Sequence, residues 1–101
     1  MTYAVRFTID AEQELLRLFD FLMEQDITAA RYAQAVIAKG IEFLAIFPFS
    51  CRKAEGCENS AFLRELLIPF GNAGYIALFE IEDANTVTIL AVRHQREEDY
   101  H

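Results

Sequence analysis

The chain has 101 residues, enough for one hydrophobic core and too few for two, so we expect a single domain over residues 1–101. Hydrophobic residues make up 53% of the chain, so the composition gives no sign of intrinsic disorder, and no apolar run reaches the roughly 18 to 20 residues of a membrane span. The formal net charge of −7 disfavours direct binding to free DNA, since a phosphate backbone repels an acidic surface. The first residues lack the pattern of a secretory signal, so the sequence predicts a cytoplasmic protein.

The first predicted elements are a strand and a pair of helices. Apolar residues alternate with others over residues 2–8, as in a half-buried strand. Asp10, with Gln13 three residues later, is predicted to cap a helix that extends to Gln25. Thr28 is predicted to cap a second helix that ends before Pro48.

The second helix has two apolar sides, which predicts that it packs on the sheet with one and on the first helix with the other. One side consists of Ala30, Ala33, Ile37, Ile41 and Leu44. The other consists of Tyr32, Val36, Phe43 and Phe47. In the first helix, Phe19 and Phe21 are two residues apart and cannot share a face, so one of them is expected to point away from the core.

The second half of the chain predicts a meander of three strands. Residues 49–60 lack periodicity and are predicted to form a surface loop, followed by strands at 61–68, 74–82 and 86–94. The last strand is apolar on both sides, with Val87, Ile89 and Ala91 on one and Leu90 and Val92 on the other, so it is expected to be central. The predicted fold is α+β, in the order β-α-α-β-β-β, with a helical hairpin on a mainly antiparallel four-stranded sheet.

The sequence gives no support for a cofactor or a metal. It contains neither a Gly-rich phosphate loop nor a Cys-x-x-Cys motif nor a His-x-x-x-His pair. Cys51 and Cys57 are six residues apart, a spacing that fits no common zinc site, and they are interpreted as unreactive loop cysteines.

Several local sequences resemble the RelE/ParE superfamily of toxins, and within it the ParE-like plasmid-stabilisation branch. The opening residues 3–8, followed by Ala11 and the Glu14-Leu15 pair, resemble the first strand and helix of that family. Residues 63–66 (Leu-Arg-Glu-Leu) and 70–75 (Phe-Gly-Asn-Ala-Gly-Tyr) resemble its meander. The most specific match is the closing run 87–97, with its Arg-His-x-Arg-Glu ending, completed by Asp99 and Tyr100.

The resemblance implies the toxin of a type II toxin–antitoxin system, neutralised by a cognate antitoxin in a hetero-oligomer. ParE-like members inhibit DNA gyrase, whereas RelE-like members cut messenger RNA in the ribosome. The RelE-like members usually have an arginine early in the middle meander strand, and residues 75–79 (Tyr-Ile-Ala-Leu-Phe) have none. The resemblance together with the acidic charge therefore favours the gyrase inhibitor, and a homologue that has lost its activity is a further alternative.

An endoribonuclease would need a base, an acid and cations for the phosphorane charge. The candidate residues for that chemistry are Arg64, Arg93, His94, Arg96, Glu97 and Tyr100, which are predicted to gather at the end of the central strand. The structural alternative is that Arg93 and Arg96 form ion pairs with the acidic residues 97–99 and that His94 makes a hydrogen bond at the end of the strand. For Arg64, next to Glu65, the default interpretation is a cross-strand ion pair, and only its place in the Leu-Arg-Glu-Leu motif favours a functional role.

Overall fold

The computed structural model describes residues 2–71 and 73–95. Two helices, α1 (Ile9–Gln25) and α2 (Ile27–Ile46), follow the first strand. A short 3-10 turn at Pro48–Ser50 comes next. The five strands are β1 (Ala4–Phe7), β2 (Arg52–Lys53), β3 (Leu63–Phe70), β4 (Ala73–Ile81) and β5 (Thr86–His94).

The strands form one sheet in the order β1-β5-β4-β3-β2, and both helices lie on the same face of it. β1 pairs with β5 in parallel, and the other neighbours are antiparallel. The prediction that β5 is central is confirmed, as is the α+β class. The sheet has five strands and not the predicted four. The additional strand is β2, whose Arg52 and Lys53 lie within the predicted loop and pair with Glu65 and Arg64 of β3.

Both helices begin at a different cap from the predicted one. Thr8 caps α1, and its hydroxyl accepts a hydrogen bond of 3.1 Å from the Ala11 amide. Asp26 caps α2, and its carboxylate accepts from the Thr28 amide at 2.9 Å. The predicted caps Asp10 and Thr28 lie in the first turns instead, because a side chain just before the helix reaches the free amides better than one inside it.

The core lies between the helices and the sheet. The alanines at 11, 30 and 33 are buried on the helices, and Phe79, Ile89 and Leu44 are almost completely buried between the two layers. The predicted stripe of α2 therefore faces the core. Its second apolar side does not pack as expected, because Tyr32 and Phe47 are more than half exposed.

A β-bulge changes the orientation of the second half of β5. Leu78 pairs with Ala91 but Phe79 pairs with Ile89, which leaves Leu90 as an extra residue. Ile89 and Val92 consequently both face the helices. The predicted alternation, with Ala91 on the side of Ile89, is wrong beyond the bulge.

Two glycines are required where β3 turns into β4. Gly71 has a φ of +62°, in the left-handed region that L side chains rarely adopt. Gly74 is buried, and a Cβ there would lie 2.3 Å from the carbonyl oxygen of Ile68. The strands extend to Phe70 and Ala73 across this tight turn, closer together than the sequence predicted. No helix in the described part of the chain is long and apolar enough to cross a bilayer.

Candidate functional site

Arg64 is held by backbone carbonyls at three positions. Its Nη1 donates to the carbonyls of Cys51 at 2.7 Å and Phe49 at 3.1 Å, and its Nε donates to that of Ala61 at 2.7 Å. The guanidinium carbon also lies 5.2 Å from the centre of the Phe49 ring. One side chain therefore joins both ends of the connection between α2 and β3.

The cross-strand ion pair expected of Arg64 belongs to its neighbour. Glu65 is buried, and its Oε1 lies 2.7 Å from Nη2 of Arg52, the residue opposite it on β2. Oε1 of Glu65 accepts no hydrogen bond of good geometry from the described residues, so its contact with Arg52 is an ion pair. Alternation along β3 sends Arg64 and Glu65 to opposite faces of the sheet.

Cys51 lies beside the Arg64 guanidinium and is a buried member of the core. Burial raises the pKa of its thiol to about 11, although the charge of Arg64 acts in the opposite direction. Cys51 and Cys57 are both free thiols. The raised pKa keeps the Cys51 thiol protonated near neutral pH, which supports its interpretation as an unreactive residue.

Two side chains, one from the N-cap and one from the first half of α1, form hydrogen bonds with the backbone at the end of β5, where a neighbouring strand would otherwise pair. β1 ends at Phe7, so the amides and carbonyls of β5 beyond Ile89 have no strand partner on that side. The Thr8 hydroxyl donates to the Leu90 carbonyl at 3.2 Å, and Oε1 of Glu14 accepts from the Val92 amide at 2.9 Å. These bonds hold the bulged end of β5 in place.

The face of the sheet opposite the helices contains a notch of about 380 Å³, which we call the open-face notch. Its floor is apolar and is formed by Ile76, Leu78 and Ala91. Arg93 lies at one end, with its side chain 54% exposed and its Nε 4.0 Å from Oε2 of Glu14. The remaining lining residues are Ala54, Glu55, Cys57, Leu63 and Glu65.

A second groove of about 380 Å³ lies on the helix side, between α1 and the ends of β3, β4 and β5. His94 and Tyr75 meet there edge to face, with ring centres 5.5 Å apart. Burial raises the pKa of the Tyr75 hydroxyl. Phe21 lies at the rim of this groove and is 60% exposed, which confirms that one of the pair Phe19 and Phe21 points away from the core.

The structure does not bring together the three candidate residues that it describes. Arg93 faces the open-face notch, His94 faces the α1 groove, and Arg64 is joined to the loop before β3. Arg96, Glu97 and Tyr100 lie outside the described residues, as do the ion pairs expected of them. The separation of Arg93 from His94 follows from the strand itself, since neighbouring residues point to opposite faces.

Sequence reasoning missed the roles of Glu14, Arg52 and Glu65. Glu14 sits among the apolar residues of the buried side of α1, and an acidic residue in such a position signals a partner across the interface. For Arg52 there was no local signal, because a strand of two residues has no periodicity.

Comparison with known proteins agrees with this fold. Residues 5–99 match the family model described as "ParE toxin of type II toxin-antitoxin system, parDE". A solved structure described as "Chromosomal ParDE TA system from P. aeruginosa" superposes with a TM-score of 0.67 at 14% sequence identity, over 91% of this chain and 95% of that one. Comparison with curated protein sequences gave no match. Because the family model matches nearly all of the 101 residues, the chain belongs to the ParE toxin family of type II toxin–antitoxin systems.

Proposed function

We propose that this ParE-type toxin inhibits DNA gyrase in the cytoplasm by protein–protein contact, and that a co-expressed antitoxin neutralises it in a hetero-oligomer. Family membership supports the toxin–antitoxin role. The open-face notch supports a protein target, because an apolar floor beside one half-exposed arginine offers the chemistry of a protein contact, and gyrase is the protein target that the family resemblance implies.

The open face suits a protein target better than an RNA target. RNA binding depends on cations that neutralise phosphates, and Arg93 shares the lining of the notch with Glu55 and Glu65. Arg64, the other described candidate for a phosphate clamp, already donates to three carbonyls. The chain as a whole has a net charge of −7, which also opposes an approach to ribosomal RNA.

A supercoiling assay tests this proposal. Purified toxin is titrated against gyrase, relaxed plasmid and ATP, and the fraction of supercoiled plasmid is measured. We expect inhibition at micromolar toxin. Unchanged supercoiling, together with cleavage of messenger RNA on translating ribosomes, would instead identify an endoribonuclease.

Two further measurements separate the alternatives in cells. If the toxin is an endoribonuclease that uses His94 and Arg96, the changes His94→Ala and Arg96→Ala should abolish growth arrest. If induction of the unaltered toxin alone causes no growth defect, the chain is a homologue without toxicity. A small reading frame next to this gene whose product restores growth would identify the antitoxin.

A further inference from the structure

The open-face notch has opposite charges at its two ends. Glu65 lies on β3, and Arg93 lies on β5, two strands away and so about 10 Å across the sheet. Glu55 lies in the connection between β2 and β3. That connection runs beside the start of β3, where the Ala54 amide donates to the Leu63 carbonyl at 3.0 Å. The β3 end of the notch is therefore acidic, and the β5 end is basic.

Glu65 is the one buried charged residue in the part of the chain that the structure describes. Its side chain is 9% exposed, and its Oε1 is almost completely shielded from solvent beside Arg52. Its Oε2 keeps contact with solvent and accepts no hydrogen bond from any described residue. Because Glu65 lines the notch, Oε2 is the oxygen that a ligand in the notch can reach.

Stability alone does not account for a carboxylate at this position. Removing a charge from water is costly unless hydrogen bonds replace those of water, and the ion pair with Arg52 supplies no hydrogen bond of good geometry. The neighbouring positions on this face are apolar, with Leu63 two residues earlier on β3 and Leu78 opposite Glu65 on β4. A buried carboxylate with an oxygen that lacks a donor is instead typical of a binding site, where the ligand supplies the donor.

The surroundings of Oε2 restrict what can bind there. Carboxylates repel phosphates and other anions, and the described residues contain no cluster of three side chains that could hold a metal ion. A neutral apolar side chain would cover the floor of the notch and leave Oε2 without a donor. A basic side chain fits both features, since its methylene stem can lie on Leu78 and Ile76 while its charged group donates to Oε2.

We propose that the β3 end of the open-face notch binds a basic side chain of the toxin's protein target, whose charged group donates to Oε2 of Glu65. Arg93, whose ion pair is with Glu14, does not take this position itself. The identification of the target as gyrase rests on the proposed function. The basic character of the bound side chain rests on the notch alone.

Binding of two small probes to the full chain tests the site. Nα-acetyl-lysine methylamide and Nα-acetyl-norleucine methylamide have the same four-carbon stem and differ in the terminal ammonium group. The amide NMR resonances of Leu78 and Ala91 report the binding of each probe at the floor of the notch. We expect the lysine probe to bind at least about tenfold more tightly, because it adds a hydrogen bond between charged groups.

A matched pair of variants separates the site from the net charge. Glu65→Gln should abolish the preference for the lysine probe, because it removes the charge that holds the ammonium. Glu42→Gln removes one exposed carboxylate on α2 and should keep the preference. Equal binding of the two probes, no binding of either, or a preference that survives in Glu65→Gln would overturn the proposal. Arg52 is half exposed, so Glu65→Gln leaves no buried charge unpaired, and a thermal melt verifies that the variant is folded.

Supercoiling by gyrase tests the identity of the target. Glu65→Gln should require at least about tenfold more protein for half-inhibition, whereas Glu42→Gln should inhibit as well as the unaltered toxin. Equal inhibition by the three proteins would contradict the assignment of the basic side chain to gyrase. If the unaltered toxin does not inhibit gyrase, the proposed function fails, and the probe titration still decides whether the notch binds a basic side chain.

Discussion

Arg64 on β3 and Arg93 on β5 are the same residue type in the same sheet, but their guanidinium groups have different surroundings. Arg64 donates three hydrogen bonds to carbonyls of the chain. Among the residues that the structure describes, Arg93 has one weak ion pair, with its Nε 4.0 Å from Oε2 of Glu14, and its side chain is 54% exposed. Three bonds to one side chain fix its position, whereas an exposed ion pair at 4.0 Å does not. We therefore expect Arg64 to stabilise the fold, and we propose Arg93 as the arginine that contacts a partner.

The largest expected effect is that of removing the Arg64 guanidinium. Arg64→Ala should lower the free energy of unfolding by about 2 kcal/mol, because charged donors are lost from three carbonyls, one of them part-buried. Arg64→Lys should recover less than half of the loss, since an ammonium lacks the fork that reaches Ala61 and Cys51 together. Urea denaturation measures both variants. If Arg64→Ala is as stable as the unaltered chain, Arg64 does not stabilise the fold more than Arg93 does.

The next largest effect is expected at the end of β5. Glu14→Ala should lower the free energy of unfolding by about 1.5 kcal/mol, because it leaves the amide of Val92 without its acceptor. Glu14→Gln keeps an acceptor oxygen and should cost less than half as much. Hydrogen exchange of the Val92 amide is a local check, and it should accelerate in Glu14→Ala and not in Arg93→Ala.

The N-cap of α1 is expected to contribute less. Thr8→Ala should lower the free energy of unfolding by about 1 kcal/mol, through the lost cap and the lost hydrogen bond to Leu90. Thr8→Ser retains the hydroxyl and is the matched control. If the alanine and serine variants unfold at the same urea concentration, the hydroxyl does not hold this end of the strand.

The smallest effect on stability is expected at Arg93. Arg93→Ala should change the free energy of unfolding by less than about 0.5 kcal/mol, because its ion pair with Glu14 is long and exposed to water. Urea denaturation beside Arg64→Ala measures the difference between the two arginines directly. A loss as large as that of Arg64→Ala would mean that both serve the fold.

The sequence predicted the elements that have a strong period and missed those that depend on contacts distant in the chain. The apolar stripes of α1 and α2 and the long strands β3 to β5 were evident from their spacing. Strand β2 has only two residues, Arg52 and Lys53. It forms because these residues pair with β3, which begins ten residues further along the chain. The bulge at Leu90 could not be detected in the sequence either. Both neighbours of Leu90 are apolar, so the pattern of apolar residues does not change there.

The candidate site was predicted less well than the fold. Arg64 was identified from its position in a family motif, and its hydrogen bonds to the carbonyls of Phe49, Cys51 and Ala61 require the loop to fold back on β3. Arg93 and His94 are adjacent in the motif, which suggested a shared site. Their opposite orientation follows from the pleat of the strand, and the bulge determines which of them faces the open-face notch.

Inhibition of gyrase by Arg93→Ala, compared with Arg31→Ala, tests the central claim most directly. Both changes remove one exposed arginine, and Arg31 lies on α2, away from the open-face notch. If the notch contacts gyrase and Arg93 is a hot spot of that contact, Arg93→Ala should require at least about tenfold more protein for half-inhibition of supercoiling. Arg31→Ala should inhibit as well as the unaltered toxin. Equal inhibition by all three proteins would contradict the claim that the open face binds the target.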